Sequence, residues 1–403
     1  MDPYEGEVSS GAIEYEPVSV KDVLVEMKDT AELLIDLSFS AVLHQSEPIA
    51  REVLRLEEQM DRLEMRGQMS LMLAARNPSE VEALAPVMGI LTAADLISDA
   101  SGDIAKIVLE DIGLPEALRA GLPAAMETLV RATVEPDSAY AGQTLVDIDL
   151  ESQTGVRVIA IRRGTDWVLN PGPETTLESG DVTLLRGHET GIESVVETLS
   201  GQAYTPPPRP ELIDEDLERA VNTIVHMKDL SELAVDLAYS SVLFDNAELA
   251  EEVRQLEVEV DALKSRFQAW TLTAAADAED PVLLRGMLHL AASTEMISDA
   301  AVDIAEGVLR DIDTHQVVQL AVQESDEIIT RIVVEPGSAL EGVSIEGGVP
   351  ATDVTMTALA IRRPESGWIL LGQTDDTVRG GDILVAKGTR TSAAELEALT
   401  TAD

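Results

Sequence analysis

The sequence predicts an α + (α+β) multidomain fold, in which two tandem copies of one unit each place a three-helix bundle before a small α+β domain. Three observations carry this. The segment Met27 to Leu43 returns as Met227 to Leu243, with Lys28-Asp29, Glu32-Leu33, Asp36-Leu37 and Val42-Leu43 all repeated at an offset of 200 residues. The same offset links Glu57 and Asp61 to Glu257 and Asp261, Ile97-Ser98-Asp99-Ala100 to Ile297-Ser298-Asp299-Ala300, and Val134-Glu135-Pro136 to Val334-Glu335-Pro336. Within each copy the residue texture changes once, from helical to strand-like, at the same point. A period this long belongs to a whole two-part unit, not to a solenoid module of about 20–50 residues.

Taken in order, residues 1–17 are an acidic, polar tail. Residues 18–128 and 214–326 are rich in Leu, Ala, Glu and Met, with apolar positions three and four apart, which is the period of amphipathic helices. Breaks at Ser46-Glu47-Pro48 and Asn77-Pro78-Ser79 divide the first stretch into three helices. Asp245-Asn246 and Asp280-Pro281 divide the second in the same way. Residues 129–200 and 327–400 switch to short β-branched runs punctuated by Gly, Pro and Asp: Val130 to Val134, Val156 to Arg162, Trp167 to Leu169 and Val182 to Leu185. After Arg163 and Arg363 the offset becomes 201, so one residue has entered a loop. Residues 201–213, with Pro206-Pro207-Pro208, form a stiff, extended linker between the copies.

The 403 residues carry 75 Asp and Glu against 28 Lys and Arg, a formal net charge of -47. Such a surface repels nucleic acid and anionic lipid. Because 45% of the chain is hydrophobic, the acid sits on folded domains and not in a disordered tail. The low-lysine, acid-loaded balance resembles proteins from cells that keep molar salt inside, where the screening length falls to about 3 Å. Cysteine is absent, so thiolate chemistry and disulfides are excluded. The sequence shows no apolar leader and no uninterrupted apolar run of about 20 residues, which predicts a cytoplasmic protein that does not insert in the membrane.

Carboxylates recur at i and i+4 on each predicted helix: Glu32/Asp36, Glu57/Asp61 and Asp95/Asp99/Asp103, then Glu232/Asp236, Glu257/Asp261 and Glu295/Asp299/Asp303. On a helical wheel Asp95, Asp99 and Asp103 lie roughly 130° from the stripe Ile97, Ile104 and Val108, on a solvent-facing side.

The run Glu295 to Glu306, with Asp299 and Asp303, resembles the Glu/Asp-x-x-x-Asp helix of the PhoU family, and Glu257 to Asp261 fits that family's second such motif. The resemblance implies a helical bundle whose acids can hold divalent metal ions, here Glu57, Asp61, Asp95, Asp99, Glu257, Asp261, Glu295 and Asp299. Oxygen-rich clusters suit hard or borderline cations. A solvated acidic surface, of the kind a strongly acidic chain produces by chance, is the other reading.

Arg131 to Glu135, Pro136, Gly142, the Gly155 to Arg163 strand, Trp167 and Gly180-Asp181 together resemble the TrkA C-terminal domain, also called the RCK C-terminal domain. Arg331 to Gly342, Ala360 to Arg363 and Gly380-Gly381-Asp382 repeat the pattern. This resemblance implies a domain that dimerises, that accompanies potassium channels and transporters, and that in some members binds cyclic di-AMP between subunits. Arg162, Arg163, Arg362 and Arg363 are then candidate phosphate contacts, the alternative being arginines that balance nearby acids. Two such domains in one chain can pair within the monomer or between the subunits of a homodimer.

No strand leads into Gly-x-Gly-x-x-Gly, so no nicotinamide cofactor is expected. The histidines His44, His188, His226, His289 and His315 are scattered without zinc-type spacing, and no nucleophile elbow is present. These absences point away from an enzyme, and the two family resemblances imply the function: cytoplasmic regulation of cation (potassium) transport through a membrane transporter or channel subunit, by sensing an ion or a ligand such as cyclic di-AMP. A metal-binding, PhoU-like regulator of phosphate uptake is the alternative. A metal-dependent hydrolase lacks a positioned base.

Overall fold

The computed structural model describes residues 19–74, 77–115, 128–164, 166–205, 215–277, 281–310, 312, 316–324, 327–346, 349–352, 354–363, 367–371 and 376–401. The acidic tail 1–17, Pro206 to Pro208 of the linker, and His315 lie outside them.

The first bundle comprises α1 (Val20–His44), α2 (Glu47–Ala74) and α3 (Pro78–Leu109). In α2 the residues Ile49, Val53, Leu56, Met60, Leu63 and Leu71 recur three, four or eight apart and form its buried stripe, while its exposed side is mostly charged, with Met65, Met72 and Leu73 the large apolar exceptions. By contrast α1 is buried on nearly every side, because α2, α3 and later elements surround it. Gln45 turns the chain between α1 and α2 in the left-handed region, φ 45, where its N–H reaches Ala41 O and Val42 O. The second bundle repeats this with α7 (Glu215–Phe244), α8 (Ala247–Asp277) and α9 (Arg285–Leu309), a 3₁₀ turn at Pro281–Leu284 leading into α9. Asn246 caps α8, its Oδ1 accepting from the Glu248 and Leu249 N–H groups at 3.0 and 3.1 Å.

The two bundles join back to back through α3 and α9, which run antiparallel. Pro86 lies against Gly307 at one end, where an added Cβ would come within 2.8 Å of Pro86 Cβ. At the other end Gly286 N–H donates to Gly113 O at 3.0 Å. Leu34, Phe39, Ile97 and Ile104 of the first copy and Tyr239, Ile297 and Ile304 of the second form one continuous core. Each such side chain contributes about 1.5–3 kcal/mol by leaving water. Residues 84–109 are long and apolar enough on average to cross a membrane, but half of that window is buried against other helices, as befits a core helix.

Each small domain is an antiparallel four-stranded sheet. The first contains β1 (Thr128–Thr133), β2 (Arg157–Arg163), β3 (Asp166–Leu169) and β4 (Val182–Gly187) in the order β1-β4-β2-β3, with two short helical turns, α4 (Leu145–Ile148) and α5 (Leu150–Thr154), and helix α6 (Glu189–Ser200). The second contains α10 (Gln316–Glu324), β5 (Ile328–Val333), β8 (Thr357–Arg363), β9 (Gly367–Leu370), β11 (Ile383–Gly388) and α11 (Arg390–Thr400), with the equivalent order β5-β11-β8-β9. It adds a three-stranded ribbon from β6 (Ser344–Glu346), β7 (Val349–Pro350) and β10 (Asp376–Thr377).

Both sheets are buried on two faces. Ile159, Ala160 and Leu184 turn toward the bundles, while Val158, Ile161 and Leu185 face the domain's own core beneath α6. A register shift between Val158 and Ala160, repeated opposite Val385/Ala386, is the bulge that lets adjacent residues serve both faces. Helix α10 lies against α1 of the first bundle, tying the second half of the chain to the first.

Candidate functional site

The two small domains pair with one another inside the chain. Ser152 Oγ lies 2.9 Å from Thr389 Oγ1, Thr355 Oγ1 donates to Glu151 O at 3.2 Å, and His188 Nε2 lies 3.4 Å from Thr357 Oγ1. Between them is a cavity of about 180 Å³ whose lining includes Arg157, Arg186 and His188 from the first domain, Thr357 and Lys387 from the second, and Glu327. In a chain so short of basic residues, three of them gather at this seam.

These cations do not end at the cavity. Arg186 Nη1 donates to Asp36 Oδ2 of α1 at 2.9 Å and its Nη2 donates to Glu327 Oε2 at 2.5 Å, while Arg157 Nη1 lies 3.4 Å from the same Glu327 oxygen. In the second copy Lys387 Nζ lies 2.9 Å from Asp236 Oδ2 of α7. Burial alone would raise Glu327, yet the charges of Arg186, Lys387 and Arg157 hold its carboxyl well below the usual range. Burial pushes Asp236 up to about 6, against the pull of Lys387 and with the help of Glu32. The Glu32/Asp36 ladder and its repeat are thus not a solvated surface. They face inward, because the small domains cover that side of α1 and α7.

A reciprocal pair of contacts sits on the same pseudo-two-fold axis. Lys28 Nζ lies 5.4 Å from the ring centre of Tyr239, and Lys228 Nζ lies 5.3 Å from that of Phe39. Each ammonium also donates to the glutamate one turn on, Lys28 to Glu32 and Lys228 to Glu232, both at 2.7 Å.

The other ladders face each other across α2 and α3, and across α8 and α9. Glu57 leans so closely on α3 that a Cβ at Gly102 would overlap its Oε2. Partial desolvation, with Glu64, Asp99, Asp61 and Glu57 adding repulsion, pushes Asp95 up to about 7. Asp299 rises to about 6 through desolvation and the proximity of Glu295 and Glu257, and Glu57, Asp99 and Glu257 are raised for the same reasons. The face opposite the Ile97 stripe is therefore not simply wet, since the neighbouring helix supplies a second row of acid.

Each cluster contains one ammonium: Lys106 Nζ is 3.6 Å from Glu57 and 2.9 Å from Asp103, and Lys264 Nζ is 2.6 Å from Glu295. The donor chemistry suits a hard divalent ion. Among the described residues, however, no group of three or more His, Asp or Glu side chains is arranged to hold one. A metal would require Glu57, Asp61, Asp95 and Asp99, or Glu257, Asp261, Glu295 and Asp299, to swing together.

The arginines singled out from the sequence lie elsewhere. Arg163 is held by Asp181 (Nε to Oδ1 2.9 Å, Nη2 to Oδ2 2.7 Å), Glu178 and Thr176 O. Arg363 is held by Asp382, Asp376 and Thr377 O. These pairs pin the turns at Gly180 (φ 91) and Gly381 (φ 92) to the sheet. Arg362 reaches Glu248 on α8, at 2.5 and 2.9 Å, and Arg162 donates to Gly164 O. None of the four lines the cavity between the domains. The residues that do, Arg186 and Lys387, carried a signal that sequence reasoning passed over: a basic residue at equivalent positions of both copies, inside an apolar strand.

Residues 24–108 and 224–308 match the family model of the PhoU domain, and 129–200 match that of the TrkA-C domain. The chain thus combines two PhoU domains with TrkA-C architecture, both regulatory domain families. The second small domain shares the strand order of the first. A curated relative, "Probable potassium channel protein 2" of Methanocaldococcus jannaschii, is 34% identical over 65 residues, which is 16% of this chain and 19% of that protein, so the chain spans only about a fifth of its relative. Among solved structures, PhoU from Pseudomonas aeruginosa aligns at 14% identity and TM-score 0.40, covering 72% of this chain and 93% of that one. The structure titled "GsuK channel bound to NAD" aligns at 11% identity and TM-score 0.18, covering 77% and 65%.

Proposed function

We propose that this protein is a non-enzymatic, cytoplasmic regulator of potassium transport, in which the paired small domains bind an anionic ligand such as cyclic di-AMP and the bundles relay the event to a membrane transporter or channel. The observation that carries this reading is the basic cavity at the seam, whose Arg186 and Lys387 are the same groups that hold Asp36 and Asp236 of the bundles. A phosphate entering the seam competes with those carboxylates for the cations. Occupancy therefore shifts α1 and α7 relative to the sheets, which is a differential interaction of the kind a switch requires.

Affinity capture from membranes in molar KCl tests the partner. A cation carrier or channel should be retained with the protein. Retention of a phosphate transporter without any cation carrier would overturn the proposal.

A second reading rests on the facing acid ladders. Carboxylates held partly protonated by partial desolvation and, beyond it, by mutual repulsion are relieved by a divalent ion, which would make the bundles a metal-dependent regulator of phosphate uptake. Stabilisation by Mn²⁺ or Mg²⁺ that disappears in Asp99→Asn and Asp299→Asn supports it. Equal shifts in the parent and the variants refute it.

A further inference from the structure

A cavity of about 600 Å³ lies away from both sites above, where α1 and α2 meet the edge strand β3 and helix α10 of the second copy. Its size falls in the range of small-molecule sites. Leu33 and Leu56, both buried, form an apolar floor, and the Trp167 ring and Leu169 form a wall.

Along one stripe of α1, Asp22, Glu26 and Asp29 line the rim, and Glu324 from α10 closes it. Positions 22, 26 and 29 lie within about 60° of one another on the helix, the second and third being displaced along the axis by about 6 and 10 Å. The one guanidinium in the lining, Arg55, is paired with Glu52. Glu26 accepts from Gln59 Nε2 at 3.1 Å, and Lys21 approaches Asp22 and Glu324 at 3.6 and 2.5 Å.

The geometry points to a binding site for a linear aliphatic polyamine in this cavity. Ammonium groups spaced along a methylene chain meet carboxylates spaced along the helix, the methylenes cover Leu33 and Leu56, and one ammonium rests on the Trp167 ring. A compact inorganic cation uses neither the apolar floor nor the spacing. The duplication supports specialisation of this copy, because the positions matching Asp22 and Glu26 are Asn222 and His226. Since Glu324 belongs to the second half of the chain and Asp22, Glu26 and Trp167 to the first, the bound polyamine would clamp the two halves together.

The test is a calorimetric titration of the full chain with spermidine in roughly 0.5 M KCl, where screening over about 4 Å suppresses diffuse attraction to an acidic surface. The expected result is saturable binding of one spermidine per chain. Asp22→Asn/Glu26→Gln, which changes only exposed side chains, should weaken it about tenfold, and Trp167→Leu should also weaken it. Glu193→Gln/Glu197→Gln on α6, an equal charge loss on a remote exposed face, should leave it unchanged. Absence of a saturable site, or equal losses in the α6 variant and the cavity variant, or no loss in either, would overturn the assignment.

Discussion

At the scale of single residues, the most consequential groups are charges that the fold has forced into unusual company. Asp95 is pushed up to about 7 from an ordinary value near 3.8. Between those values the native state holds a proton that the unfolded chain has lost. Its contribution to stability is therefore complete below about pH 4 and is lost as pH rises through about 7. Asp95→Asn should flatten this part of the pH profile and, after discounting for solvent screening, stabilise the protein by roughly 1 kcal/mol at pH 8. Equal slopes for parent and variant in urea melts across pH 5–8 would contradict the desolvation and repulsion argued for Asp95.

The buried ion pairs give a second expectation. Asp181 and Asp382 are both buried, but the Arg163 side chain is 38% exposed and that of Arg363 is 7% exposed. Asp382→Ala strands a buried guanidinium and should cost about 3–5 kcal/mol, whereas the Asp181→Ala cavity admits water to Arg163 and should cost clearly less. A larger loss for Asp181→Ala in denaturant melts would show that exposure of the arginine is not the deciding variable.

At the scale of elements, the helix boundaries were legible because they rest on local chemistry: Pro48, Pro78 and Asn246 mark them in the sequence and serve them in the structure. The strands were legible from their β-branched runs. The facing of two elements was not, since the Glu57 and Asp95 rows are set by how α2 rolls onto α3, which no single helical wheel contains. The same holds for Arg186 and Lys387, whose partners Asp36 and Asp236 lie about 150 residues earlier in the chain.

Close contacts between elements also make a testable point. The crossing of α3 and α9 depends on the missing side chain at Gly307, since the facing Pro86 ring is rigid. Gly307→Val should cost about 1–3 kcal/mol through overpacking, in spite of its better helix propensity. A neutral or stabilising effect in thermal melts would mean that the bundles are not pressed together there.

At the scale of the whole molecule, a duplicated chain has folded into its own pseudo-dimer. The reciprocal Lys28–Tyr239 and Lys228–Phe39 contacts and the antiparallel α3–α9 crossing place one half against the other as subunits of a two-fold dimer would be placed. A net charge of -47 opposes this compact form by self-repulsion. The melting temperature should accordingly rise steeply between dilute buffer and molar KCl, and a flat response would show that the acid is not a global burden.

The central claim is that the seam between the small domains is one ligand site coupled to the bundles. Its most direct test is a calorimetric titration with cyclic di-AMP in molar KCl, comparing the parent protein with Arg186→Gln and, because that change leaves Asp36 and Glu327 short of a partner, with His188→Ala as the milder variant. The account predicts one ligand per chain, since the duplication creates a single seam, and binding weakened at least tenfold by each substitution. Two ligands per chain, or an affinity indifferent to both substitutions, would contradict it.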